Sequence, residues 1–208
     1  MTRKAIWIRS ACSALALTLT VAAAASAQVG KSQGVVDINA MGESEIAALP
    51  GLTPTLAKAL IAKRPLTSPT ELNTFLTAQG LTPEQAMAVY RKAFVHINLN
   101  TATPEEILLV PGAGRRMVRE FAEYRPWKSW AQFDKEISKY VGAEATANLA
   151  QYTFIAMNAN TASDADLMTV PGANQAWADK VKKGRPFKSA ADLEKAIGKG
   201  HARFFVLE

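Results

Sequence analysis

The residues best suited to chemistry are Val110-Pro111-Gly112-Ala113-Gly114-Arg115-Arg116. The chemistry they suit is holding a phosphate. A tight turn that feeds a helix leaves the first helical N–H groups without intrahelical partners. Those groups sit at the positive end of the helix dipole, where an anion can accept from them. Glycine tolerates positive φ there and lets a ligand approach the backbone closely. Arg115 and Arg116 fall in the first turn of the new helix, where cations oppose the dipole. Helix stability alone therefore does not account for them. Arg119 follows one turn beyond Arg115. The competing account is a solvated arginine face tied to Glu120 and Glu123.

Two other stretches carry related turns. Val170-Pro171-Gly172-Ala173-Asn174 replaces the second glycine with asparagine, which enters the left-handed region more readily than most residues. Lys180, Lys182, Lys183 and Lys188 lie further along. Gly172, Ala173, Asn174 and Lys180 are therefore a second expected contact. Leu49-Pro50-Gly51-Leu52-Thr53 has a β-branched residue at that place, and such residues resist positive φ. Thr53 reads better as an N-cap ahead of Pro54 at the first helical position. The nearest cation is Lys58, so Gly51, Leu52 and Thr53 form the weakest contact and suit a structural or protein-facing copy. Gly80 and Gly142 each lack a second glycine and read as C-caps. Gly198-Lys199-Gly200, with His201 beyond it, has the spacing but little helix after it.

Catalysis finds little support. His96 and His201 are far apart, and neither belongs to a metal-ligand pattern. His96 reads as a linker or core residue. No P-loop, Gly-x-Ser-x-Gly or His-x-x-x-His string occurs. Trp127, Trp130 and Phe187 could stack on bases, but their amphipathic spacing favours core packing. No catalytic residue, metal or cofactor is expected.

The turns need elements to hold them. The pairs Pro50-Gly51, Pro111-Gly112 and Pro171-Gly172 are spaced almost evenly along the chain. Each is preceded by Asp37-Ile38-Asn39, Asn98-Leu99-Asn100 or Asn158-Ala159-Asn160. Each is followed by Arg64-Pro65-Leu66, Arg125-Pro126-Trp127 or Arg185-Pro186-Phe187. Such self-similarity marks internal repetition. Thr103 with Glu106, and Ser163 with Asp166, make capping boxes, and Gly42 with Glu45 a weaker one. Leu56, Leu60 and Ile61 form a helical apolar stripe, as do Met117, Phe121 and Tyr124, and Trp177 with Val181. Arg-Pro ends that helix, and Ser68, Ser129 and Ser189 cap the next. Further helices are expected over Pro83–Tyr90 and Glu144–Tyr152. No alternating pattern of useful length appears, so the expected fold is all-α.

The chain has 208 residues and a formal charge of +6. Arg3, Lys4 and Arg9 precede Gln28 and no acid does, which leaves the rest at +3. That is too weak a balance to demand a nucleic-acid partner by itself. The basic start, an apolar run from Ala11 to Ala25 and Ala25-Ser26-Ala27 make a secretory signal with cleavage between Ala27 and Gln28. The run falls short of the roughly 20 residues that span a bilayer. No stable membrane span is expected after cleavage. Cys12, the only cysteine, lies in this segment, and Arg9 spoils a lipoprotein-type site, so the mature part holds no disulfide.

The Val-Pro-Gly-Ala-Gly string between short amphipathic helices resembles the helix-hairpin-helix signature. With the Asn-x-Asn-Thr-Ala start and the Arg-Pro-aromatic-Lys-Ser run, the larger pattern is similar to ComEA-type competence proteins. The resemblance covers most of residues 35–208. It implies three tandem helix-hairpin-helix units, spanning 35–95, 96–155 and a truncated 156–208. A signal peptide over 1–27 and a flexible lead over 28–34 precede them. It also implies a periplasmic or secreted protein that binds the phosphates of double-stranded DNA without sequence preference, in DNA uptake. The alternative is a non-catalytic scaffold in which degenerate hairpins bind envelope or DNA-uptake proteins.

Overall fold

The computed structural model describes residues 35–207. The expected signal segment and lead lie outside the described residues. The protein is mostly helical. No helix among the described residues is long and apolar enough to cross a membrane.

Three successive stretches follow one order of elements, with two helices merged in the second. The first runs β1 (Val36–Asp37), α1 (Glu43–Ala47), α2 (Pro54–Ala62), α3 (Pro69–Ala78), α4 (Pro83–Tyr90) and β2 (Ala93–Phe94). The second runs β3 (Ile97–Asn98), α5 (Pro104–Leu108), α6 (Arg115–Glu123), α7 (Trp130–Ala150) and β4 (Thr153–Phe154). The third runs β5 (Met157–Asn158), α8 (Asp164–Leu167), α9 (Gln175–Lys183), α10 (Ala190–Ile197), α11 (Lys199–Ala202) and β6 (Phe205–Val206). Each stretch closes by pairing its first strand in parallel with its last, β1 with β2, β3 with β4 and β5 with β6. These very short strands were not expected, because they leave no alternation to read.

Side-chain caps start most helices, all but Thr82 at positions the sequence implied. Thr53, Ser68, Thr82, Thr103, Ser129, Ser163 and Ser189 each accept from an N–H of the following first turn. Gly80, at φ 84°, ends α3. The Leu81 N–H reaches Leu76 O and the Gly80 N–H reaches Thr77 O, a Schellman closure with Leu81 buried. Gly142, at φ 78°, breaks α7 into two helical arms, so the expected separate helix near Glu144 lies within α7.

The Asp/Asn-x-Asn and Arg-Pro strings prove to be one fastening device. The Asn100 amide donates to Trp127 O at 3.0 Å and accepts from the Trp127 N–H at 2.6 Å. Asn39 does the same to Leu66, and Asn160 to Phe187. Arg125 donates to Leu99 O and Ala102 O at 2.8 and 2.6 Å, and Arg185 to Ala159 O and Ala162 O. Arg64 binds Ile38 O and Met41 O. The three Arg-Pro bonds are cis. Each asparagine thus satisfies both backbone groups of a residue that no helix or ladder serves. Asn100→Ala is expected to lower stability by about 1–3 kcal/mol, because it orphans two part-buried groups. Thermal unfolding measures the loss, and an unchanged melting temperature would contradict the role.

The first two stretches share one core. Phe94 stands edge-on to Tyr90 and Tyr152 across their boundary, with centroids 5.5 and 5.3 Å away. The third stretch gathers its own core around Leu167, Val181 and Phe204. It is tied back to the first by charge. Arg203 donates to Asp37 Oδ2 at 2.6 Å and to His96 O at 2.9 Å. His96 Nδ1 lies 3.2 Å from the same Asp37 oxygen. A carboxylate only accepts, so Nδ1 carries the proton in that bond. Burial pushes the Asp37 carboxyl up, but the His96 bond, the Arg203 charge and the Asn39 N–H outweigh it and hold it at about 2. The Arg203 guanidinium also covers the Phe204 ring at 4.5 Å.

Candidate nucleic-acid interface

The turn before α6 is built by two conformations in series. Gly112 has φ 87°, the left-handed region that a side chain would strain. The Ala113 N–H then bonds Val110 O at 2.9 Å. Gly114 follows at φ −110°, ψ −175°, ordinary extended backbone, and starts α6. Gly51 and Gly172 repeat the first step, both at φ 77°. Thr53 and Asn174 repeat the second, at φ −121° and −142°.

This corrects the expectation built on positive φ. The residue after the turn is extended in all three stretches, so neither Thr53 nor Asn174 is strained there. The left-handed demand falls on Gly51, Gly112 and Gly172, and all three meet it. What separates the turns is the cap. Thr53 Oγ1 accepts from the Leu56 N–H at 3.3 Å, and Asn174 Oδ1 from the Trp177 N–H at 2.9 Å. Each places an electronegative oxygen over its helix start. Pro54 also removes one donor from the first. Gly114 has no side chain to do this. The N–H groups of Gly114, Arg115 and Arg116 have no acceptor among the described residues.

Some expected contact residues have less to offer than their positions implied. The N–H groups of Leu52, Ala113 and Ala173 are consumed inside their own turns. Leu52 is buried, and Ala113 and Ala173 are half-buried. They shape the turns and have no amide left for a ligand. Gly172 is exposed, but its Cα side faces Ala40 and His201.

The cations also divide. Arg115 and Arg116 are exposed, and no ion pair among the described residues holds either. The Arg116 guanidinium lies 6.0 Å from the Tyr140 ring centroid, the outer limit of a cation–π contact. Arg119 donates to Glu120 Oε1 at 2.8 Å. Glu120 is buried, not the solvated acid expected, and its hydrogen bond holds the Arg119 guanidinium above its ordinary value. The tied-arginine account thus applies to Arg119 and leaves Arg115 and Arg116 free. Lys180 is exposed without an ion pair among the described residues, whereas Lys182 is held by Asp164 and Asp179. Trp127, Trp130 and Phe187 are buried in the cores and present no face for base stacking. Among the described residues no three acidic, His or Cys side chains gather as a metal would need.

Sequence reasoning missed Arg91 and Lys92, two exposed cations after α4. They border a groove of about 600 Å³ that has Pro111 and Gly112 in its wall. The Asn148 amide donates to Pro111 O at 3.2 Å and holds that wall in place. No periodicity marks Arg91 and Lys92, since only the fold carries them to the second turn. Comparison with family models, curated proteins and solved structures finds no match.

Proposed function

We propose that the three stretches are tandem helix-hairpin-helix units. We propose further that the protein binds double-stranded DNA through phosphate contacts at the second unit, without sequence preference and without catalysis. One observation carries this reading. The start of α6 has no side-chain cap and three unclaimed N–H groups, beside two free arginines. Uncapped backbone donors with adjacent guanidinium groups fit a phosphate oxygen and match no other feature of the turn. The third unit, with Gly172, Asn174 and Lys180, is a weaker helper. The first, with Gly51 and Thr53, is architectural. A cleaved signal before Gln28 would place the protein in the periplasm or cell envelope, where it would hold incoming duplex.

The test is a binding titration of purified protein with short duplexes at several salt concentrations. The logarithm of affinity should fall linearly with the logarithm of salt, by about 0.9 for each phosphate neutralised. A slope of a few units is expected, equal for unrelated sequences. No binding at low salt would overturn the reading.

A second reading has its own support. Two of three turns are closed by side-chain caps, and the third turn faces the first unit. An envelope scaffold that binds proteins through its hairpins would need no open turn. It predicts no salt-dependent DNA binding.

A further inference from the structure

The groove beside the second turn has a wall that belongs to a different stretch of the chain. Pro111, Gly112, Asn148 and Gln151 come from the second stretch, and Arg91 and Lys92 from the end of the first. Arg91 and Lys92 are exposed, and neither has an ion pair among the described residues. Among the described residues no carboxylate borders the groove. The other grooves differ in this respect. The one along α3 includes Glu71, the one beside β6 includes Glu194, and the one facing the third turn includes Asp37. In that last groove the terminal nitrogens of Arg64 and Arg203 bond protein carbonyls and Asp37, while the Nε of each goes unbonded. Among these grooves, that beside Gly112 therefore offers cations with no internal acid to neutralise them.

Its floor adds donors of a second kind. Gln151 is half-buried there, and no described residue bonds its side-chain amide. Asn148 has a second amide hydrogen beyond the one given to Pro111. Neutral amides and free cations, without a carboxylate, suit an anion that extends along the groove. A phosphodiester backbone has that form, since its charges recur along one line.

We infer that the first and second stretches form one composite site, in which Arg91 and Lys92 bind the phosphates next to the one held at Gly114–Arg116. The ligand is the sugar-phosphate backbone of a duplex crossing the boundary between the two stretches. The first stretch thus contributes through its closing turn rather than through Gly51–Thr53. This inference rests on the DNA-binding reading and extends its footprint.

The experiment compares three proteins in the duplex titration across salt. They are the unaltered protein, Arg91→Glu with Lys92→Glu, and a charge-matched control, Lys63→Glu with Lys195→Glu. Neither control residue borders the groove. All four side chains are exposed, and circular dichroism checks that each variant folds. The groove variant should bind at least about 10-fold more weakly near 0.1 M salt, with a salt slope shallower by about 1 to 2 units. The control should lose less than about 3-fold, the share due to bulk charge. Equal losses in groove variant and control would overturn the composite site while leaving the turn in place. If the unaltered protein binds no duplex, this inference falls with the reading beneath it.

Discussion

Replacing Arg203 with methionine is expected to destabilise the protein by about 3–5 kcal/mol. The substitution keeps much of the side chain's length and removes its charge. Asp37 and His96 are both buried, at 3% exposure each, so the carboxylate would lose its direct ion-pair partner and keep the His96 and Asn39 hydrogen bonds and the more remote Arg64 charge. An isolated buried charge is costly because little solvent reaches it. Asp37→Asn added to Arg203→Met should recover part of the loss, since the amide needs no counter-charge. Urea unfolding of the single and double variants measures this coupling. A loss below about 1 kcal/mol for Arg203→Met would mean that the tie contributes little. The same cluster sets an acid limit. Unfolded, Asp37 takes a proton near its ordinary 3.8, whereas folded it resists until about 2. Its contribution is therefore complete above about pH 4 and lost as pH falls toward 2. The loss is on the order of 2 kcal/mol. Asp37→Asn should flatten stability against pH across that window.

Arg115→Glu with Arg116→Glu should weaken duplex binding at least about 100-fold near 0.1 M salt, because it removes two attractive charges and adds two repulsive ones. Both side chains are exposed, so the fold should survive. Acids in a helix's first turn also suit its dipole, and thermal stability should hold or rise slightly. Loss of binding together with retained stability separates a contact role from a structural one. Gly114→Asn asks the complementary question. It copies the third turn and gives α6 a side-chain acceptor, and nothing lies within 4 Å of the added carbon. The variant should gain a few tenths of a kcal/mol in stability. It should lose affinity several-fold, because the carboxamide oxygen competes with phosphate for the helix start. Unchanged affinity in both variants would remove the second turn from the interface.

Much of the helical framework was legible because capping is local. Thr103, Ser163 and Ser189 stand within three residues of the groups they satisfy. The repeated Asn-x-Asn and Arg-Pro strings were visible as motifs, but not as partners. Asn100 and Trp127 are 27 residues apart, and a sequence pattern records recurrence, not contact. His96 was read only as linker or core, since its partners lie 59 and 107 residues away. The candidate turn was read from its composition, and the structure separates it from the other two by a different feature. Positive φ was assigned to Gly114, whereas the left-handed residue is Gly112 and the distinguishing property of Gly114 is its missing cap. Arg91 and Lys92 look like any exposed pair until the fold sets them beside Gly112.

The bond between Asp37 and Arg203 spans 166 residues. The aspartate lies on β1 and the arginine follows α11, so the pair forms only once the third stretch has docked. The core shared by the first two stretches does not include the arginine. Docking of Arg203 adds an ion pair to the hydrogen bonds that His96 and Asn39 already give the same carboxylate. A chain cut before Arg203 is expected to lose that tie, and protease should cleave near its first strand faster than in the intact protein.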